Sequence, residues 1–392
     1  MPSILFINRV YPPSSGATGE MLCQLAEALA ARRWDVTILA TDTGGVPKIS
    51  LRNGVSILRV GGLFSRKSTL LRAVSYGCMI PWLLIRALLL PRTDFIVTMT
   101  DPPMLAATGP VLAFFKKNKI VHWAQDIYPE VAEELGVLHS GHVFTRVLRE
   151  ISSFVLQRHD AVVSIGRCMS QRLVARGIPS EKIHLIPNWA PPIVPRDKFN
   201  NPFRRQQGLE GDFVVAYSGN MGLAHDFDAI LTAAESLRGR HIVFLMIGDG
   251  PRRAEIQQEA ASRGLDNMRF LPSQPPDKLS ESLSAADAHL VTMRPTLCGL
   301  VVPSKFYGVL AVGRPCLFVG PKESEVAISL SEQDAGMVID PKNPSALATA
   351  ILDWAMNPVS HAAACRRARV AGASATIAYR VEVFERLLRG LL

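Results

Sequence analysis

Residues 212–220 read DFVVAYSGN, and residues 241–251 read HIVFLMIGDGP. Each is a short run of apolar and β-branched residues that stops at a turn of glycine and small polar residues. Such a run, bounded by turn chemistry, fits a strand buried on both faces, as in a parallel sheet. Residues 226–238, between the two runs, are expected to be helical, so the pair reads as a βαβ unit. MRFLPS (268–273), DAHLVTM (287–293), RPCLFVG (314–320) and AGMVID (335–340) continue the pattern into a second parallel sheet.

Toward the N-terminus the same grammar appears. SILFINRV (3–10), DVTILAT (35–41), VSILRV (55–60), DFIVTMT (94–100), KIVHWA (119–124), DAVVSIG (160–166) and KIHLIPNW (182–189) read as strands. Helical patterns near 19–32, 70–90, 103–115, 142–158 and 169–176 separate most of them. A proline- and charge-rich stretch at 191–208 reads as a linker. The expected architecture is therefore α/β, with two Rossmann-like doubly wound domains facing across a cleft. The first spans 1–190 and the second 209–375, and residues 376–392 form an amphipathic helix. Ligands of such sheets bind outside the carboxyl ends of the strands, so the loops after each strand carry most weight.

The chain has 392 residues and a net charge of +9. The charge is uneven: residues 1–190 hold 21 Lys and Arg against 13 Asp and Glu, whereas the remainder holds 22 against 21. A basic first half suggests an anionic partner such as a membrane surface or a lipid phosphate. A merely solvated surface is the other reading. The cations are not interleaved with aromatics as a single-strand platform requires, so no nucleic-acid partner is expected. Residues 76–90, YGCMIPWLLIRALLL, are too short to span a bilayer. They read either as a buried helix or as an interfacial one, the second supported by Arg59, Arg66, Lys67, Arg72 and Arg92 nearby. The six scattered cysteines form neither a zinc knuckle nor a disulfide framework. Together with an opening MPSILFINRVYPP that lacks a signal-peptide pattern, they point to the cytoplasm.

Three turns at strand ends contain glycine: YPPSSGATG (11–19), SGNMG (218–222) and IGDGP (247–251). Backbone N–H groups at a helix start suit a phosphate or a sugar hydroxyl. A plain βα turn is the other reading of each. None is followed by GK[ST], which excludes a P-loop, and the first lacks GxGxxG, which argues against a dinucleotide. No cofactor is expected. Asp226 and Asp228 fall at a helix start, where they cap, and no other carboxylate pair has metal-ligand spacing, so no metal is expected.

Seven pieces in order, YPPSSGATG, TDPP (100–103), AQDIYPE (124–130), IPNWA (186–190), YSGNMG (217–222), IGDGP and VPSKFYGVLAVGRP (302–315), resemble the family-4 retaining glycosyltransferases of the two-domain GT-B type. The resemblance is to the bacterial polysaccharide branch that contains colanic-acid and fucosamine transferases. It implies transfer of a hexosyl or acetamidodeoxyhexosyl group, with retention, from a nucleotide diphosphate sugar held by the second domain. It also implies that the C-terminal helix packs back on the first domain. In the donor set it places Gly16, Gly219, Asn220, His225, Gly248, Asp249, Gly250, Arg294, Pro303 and Ser304. Asn220 and His225 stand where the family usually has an arginine and a lysine. The paired glutamates usual before the last turn are absent by either way of counting, at Thr296 and Ser304 or at Leu300 and Gly308. Lys305 and Arg294 are then the candidates to offset the leaving diphosphate. Backbone groups near Gly299–Val301 and the Ser304 hydroxyl are candidates for the missing donor contacts, with Glu325 as a further, more structural one.

In the first domain Asp126 is the expected acceptor base, with Glu130 second. Gln125, Asp101 and His122 are expected near the acceptor, although Asp101 also suits turn initiation and His122 a core position. The expected acceptor is a polyprenyl-linked saccharide, met by a peripheral protein on the inner face of the membrane. Two carboxylates near a sugar also fit a glycosidase, and the missing cations fit a nucleotide-sugar-binding protein without turnover. Both remain as alternatives.

Overall fold

Strand β1 (Ser3–Ile7) is apolar and buried from Ile4 onward, and it becomes the centre of a sheet covered on both faces. A computed structural model describes residues 1–13, 16–41, 46–61 and 69–392. Of the residues named above, Ser14, Ser15, Arg66 and Lys67 lie outside the described residues, as does the side chain of Arg72. The chain divides into two compact units. The first comprises residues 1–187, 299–301 and 377–392, the second residues 188–298 and 302–376.

In the first unit β1 is joined by β2 (Asp35–Thr41), β3 (Ile49–Arg52), β4 (Val55–Val60), β5 (Phe95–Thr98), β6 (Lys119–Ala124), β7 (Ala161–Ser164) and β8 (Ile183–Leu185). The order is β3-β4-β2-β1-β5-β6-β7-β8, parallel except for the β3–β4 pair. Apolar patterning does not announce β3, but Asn53 (φ 47°) and Gly54 (φ 80°) form the two-residue turn that an Asn-Gly pair signals. The helix Ile377–Leu391 also belongs to this unit. Its Phe384 ring lies 6.3 Å from Phe6 and 5.8 Å from Trp123.

The second unit holds β9 (Phe213–Ser218), β10 (Ile242–Ile247), β11 (Met268–Leu271), β12 (Ala288–Thr292), β13 (Cys316–Val319) and β14 (Gly336–Ile339). Their order, β11-β10-β9-β12-β13-β14, is that of a Rossmann sheet, with every pair parallel. The stretch 191–208, expected as a linker, contributes to this unit. Asn201 caps the helix Pro202–Gln206, and Arg204 is buried on Asp287 at 3.0 Å with Lys198 on the same carboxylate. Its polar composition reflects a buried ion pair: a carboxylate enclosed at the foot of β12 requires cations beside it.

No helix among the described residues is long and apolar enough to cross a membrane. The helix Thr69–Leu89 buries Met79, Leu83 and Ala87 against its sheet and leaves Trp82, Ile85 and Leu89 exposed. The buried-helix reading of residues 76–90 thus describes one side of this helix, and the other side is apolar and exposed.

Candidate active site

In the second sheet the strand order reverses between β9 and β12, the position at which α/β sheets open a ligand crevice. The turns after β9 and β10 interlock there. Gly219 and Gly248 both have φ of +136°, in the region that favours glycine. A Cβ on Gly248 would stand 2.1 Å from the Gly219 carbonyl oxygen, and one on Gly250 (φ 144°) would stand 2.6 Å from the Met221 oxygen. A Cβ on Gly219 would meet Lys305 Cε at 2.5 Å. The absence of side chains thus lets two turns and a lysine stem share one place.

Lys305 opens the helix Lys305–Ala311, after buried Pro303 and half-buried Ser304. Its Nζ lies 2.7 Å from His225 Nε2 and 5.0 Å from the Tyr217 ring. Burial pulls the Lys305 pKa down to about 7. His225 Nδ1 lies 2.6 Å from the Thr292 carbonyl oxygen. Burial first, and the Lys305 charge next, hold His225 down to about 3. Asn220 exposes its side chain, and its carbonyl oxygen accepts the Tyr217 hydroxyl at 2.7 Å.

In the first sheet the reversal falls between β1 and β5. The loops after these strands are joined by Arg9, whose N–H donates to the Asp101 carbonyl oxygen at 2.6 Å. Its guanidinium grips the Asp101 carboxylate at 2.6 and 2.7 Å. Asp126 follows β6, with Oδ2 3.5 Å from Thr100 Oγ1. Burial, then the nearby Asp101 charge, raise its pKa to about 6. A carboxylate so adjusted is ionised at neutral pH yet basic enough to accept a hydroxyl proton.

Residues 16–189 match the family described as a glycosyl transferase 4-like domain, and residues 199–370 match the glycosyl transferases group 1. Together the two matches account for most of the chain. The chain is a GT-B-fold glycosyltransferase related to both families. Among individual proteins it is 29% identical over 262 residues to a probable glycosyltransferase, WbjE, of Pseudomonas aeruginosa, covering 66% of each chain. It is 30% identical over 204 residues to a putative colanic acid biosynthesis glycosyl transferase, WcaI, of Escherichia coli, covering 50% of this chain and 49% of that one. The aligned stretches thus span about two thirds and half of these relatives' own lengths. The fold is similar to that of a sucrose-phosphate synthase from Thermosynechococcus elongatus, with a TM-score of 0.78, 16% identity and 100% and 99% of the two chains covered. It is also similar to WaaG, a glycosyltransferase involved in lipopolysaccharide biosynthesis, with a TM-score of 0.69, 17% identity and 99% and 100% covered.

Other residues singled out in this glycosyltransferase have structural partners. Glu130 lies between Arg176 (3.4 Å) and Arg149 (3.8 Å), which makes it a member of an ion-pair cluster. His122 is buried, bonded through Nδ1 to Thr98 Oγ1 at 3.0 Å, and held near 3 chiefly by burial, as a core histidine would be. Gln125 is buried too. Asp249 is exposed and taken up by Arg253 (2.5 Å) and Ser273 (3.0 Å). Arg294 is exposed and donates to the Leu223 carbonyl oxygen at 3.3 Å. Gly16 precedes the helix Ala17–Ala31, where a Cβ would touch Val10 Cγ1 at 3.0 Å. Glu325 is buried and accepts from Ser329 at 3.1 Å. Gly299–Val301 belongs to the first unit, where the Leu300 carbonyl oxygen accepts from the Ile127 N–H at 2.9 Å.

Arg59, read from sequence as a surface cation, is buried on the Pro12 carbonyl oxygen at 2.7 Å, because it anchors the loop after β1. Two residues missed by sequence reading stand out instead. Tyr217, next to last in β9, lies beneath Lys305, and Arg252 donates to the His225 carbonyl oxygen at 3.0 Å. The signal for both was their adjacency to the glycine turns. Among the described residues no group of three or more His, Cys, Asp or Glu could hold a metal ion.

Proposed function

We propose that this glycosyltransferase moves a hexosyl or acetamidodeoxyhexosyl group from a nucleotide diphosphate sugar to a hydroxyl of a lipid-linked saccharide, with retention. The observation that carries the proposal is the convergence of Gly219, Gly248 and Lys305 at the carboxyl ends of β9 and β10. Backbone groups bare of side chains can approach a pyrophosphate closely, and the enclosed ammonium opposes the charge that builds on it as its bond to the sugar breaks. In the first unit Asp126 is the group we assign to orient the acceptor hydroxyl and accept its proton. The similarity to enzymes named for polysaccharide synthesis supports a saccharide acceptor.

A membrane-borne acceptor is supported by the first unit's outer surface. The helices Thr69–Leu89 and Thr108–Lys116 pack together, and Val143–Gln157 packs on the turn leading into the second. They expose Trp82, Leu89, Phe114, Phe115, Phe144 and Phe154, with Phe114 78% exposed. Their sequences contain a single acid, Glu150, against Arg72, Arg86, Lys116, Arg146 and Arg149. Exposed aromatics among cations suit an anionic headgroup layer. The functional test is acceptor-dependent release of nucleoside diphosphate, preceded by a thermal-shift comparison of UDP, GDP and dTDP, since a ligand of the native state raises its melting temperature. If none of the three shifts it, the donor assignment fails. Binding without acceptor-dependent release would favour a sugar-nucleotide sensor.

A further inference from the structure

The carbonyl oxygen of Thr292 can only accept a hydrogen bond, so the His225 Nδ1 2.6 Å away carries the ring proton. The ring is buried and neutral, which leaves Nε2 as a bare lone pair. Lys305 Nζ, 2.7 Å away, is therefore the donor to Nε2. Among the described residues no carboxylate pairs with the remaining ammonium hydrogens; burial lowers the lysine's pKa, and the ring face of Tyr217 lies 5.0 Å away. Arg252, itself paired with Glu255, donates to the His225 carbonyl oxygen and lowers the ring's basicity further. An enclosed cation with neutral partners is costly unless an anion joins it. The stem of this cation lies against Gly219, where that anion would approach.

We propose that His225 is a positioning residue for the nucleoside diphosphate: its neutral Nε2 fixes the Lys305 ammonium beside the Gly219 and Gly248 turns without cancelling its charge. A carboxylate at 225 would hold the lysine equally well but neutralise it. An apolar residue would leave the charge whole but loose. The inference rests on the reading of the second unit as the donor site.

The test is a set of calorimetric titrations of UDP, GDP and dTDP into the full-length protein carrying His225→Gln, His225→Glu or His225→Leu, with Lys305→Met and His225→Leu/Lys305→Met beside them. Glutamine can both accept from lysine and donate to Thr292, so His225→Gln should bind within about threefold of the parent. His225→Leu should bind roughly tenfold more weakly, the value of one charge-assisted hydrogen bond. His225→Glu, with the shape of the glutamine variant, should bind roughly a hundredfold more weakly. In the Lys305→Met background the leucine substitution should make no further difference, because its partner is gone. Equal binding by the Gln and Glu variants, or a leucine effect that persists without Lys305, overturns the inference and leaves the donor site standing. The absence of all binding by the parent protein overturns both.

Discussion

Gly248 stands against the carbonyl oxygen of Gly219 so closely that an added methyl group would lie 2.1 Å from it. The clash is with backbone, which cannot swing away. A methyl on Gly219 instead meets the flexible end of Lys305 at 2.5 Å. Gly248→Ala should therefore cost several kcal/mol of stability, about 3 or more from strain and displacement. Gly219→Ala should cost less in melting temperature than Gly248→Ala yet weaken nucleoside diphosphate binding strongly, since it expels Lys305. Thermal melts and titration of both variants check this; equal stability losses would mean that the turns yield.

The pH dependence of kcat/KM should be bell-shaped. Asp126 must be ionised to accept a proton, and its carboxyl titrates near about 6. Lys305 must be protonated to oppose the diphosphate, and it titrates near about 7. The rate then falls about tenfold per pH unit below the first value and above the second. Lys305→Arg keeps its charge throughout and should remove the alkaline fall while lowering the maximum. An unchanged alkaline limb in that variant would assign it to another group.

Asp126 should be destabilising at neutral pH. Its folded pKa of about 6 lies above the ordinary carboxyl value of 3.8, so the native state holds the proton more tightly than the unfolded chain. Stability therefore declines as pH rises between these values, and the full cost is present above about 6. Asp126→Asn should gain at most about 3 kcal/mol at pH 7.5 and almost nothing at pH 3, while losing roughly a hundredfold or more in kcat. Melting curves at the two pH values, beside turnover, measure both.

Glu130 should matter to folding rather than to chemistry. Its carboxylate compensates Arg176, whose side chain is only 10% exposed. Glu130→Gln should lower stability by about 2 kcal/mol and change kcat by no more than about threefold. A large loss of kcat with an unaltered melting temperature would restore it to the catalytic set.

The exposed aromatics of the first unit should carry membrane binding. Phe114→Asp and Phe154→Asp place charges where Phe114 and Phe154 are 78% and 55% exposed, so the fold should be little affected. Arg158 lies 3.2 Å over the Phe154 ring, a cation held at the apolar stripe. Co-sedimentation with vesicles containing phosphatidylglycerol should fall about tenfold for the double variant, with no change in UDP, GDP or dTDP binding. Self-association that vanishes in the variant, without vesicle binding in the parent, would identify the face as a contact between copies.

Much of this protein was legible along the chain because the relevant physics is local. Apolar runs that stop at glycine turns specify parallel strands, and Gly219 and Gly248 announce themselves by sitting at the ends of two such runs. The amphipathic pattern of a helix likewise declares an apolar side. Partnership through space is another matter. His225 and Lys305 are 80 residues apart, and nothing in either neighbourhood tells that one is a neutral acceptor and the other its donor. Glu130 and Arg59 look like free charges until the fold brings Arg176 to the one and the Pro12 carbonyl oxygen to the other. The same holds for helix faces: periodicity marks Trp82 and Phe154 as apolar, but only packing decides which apolar residues are covered. Charge state, pairing and exposure depend on neighbours distant in sequence, so they were settled only once the chain had folded.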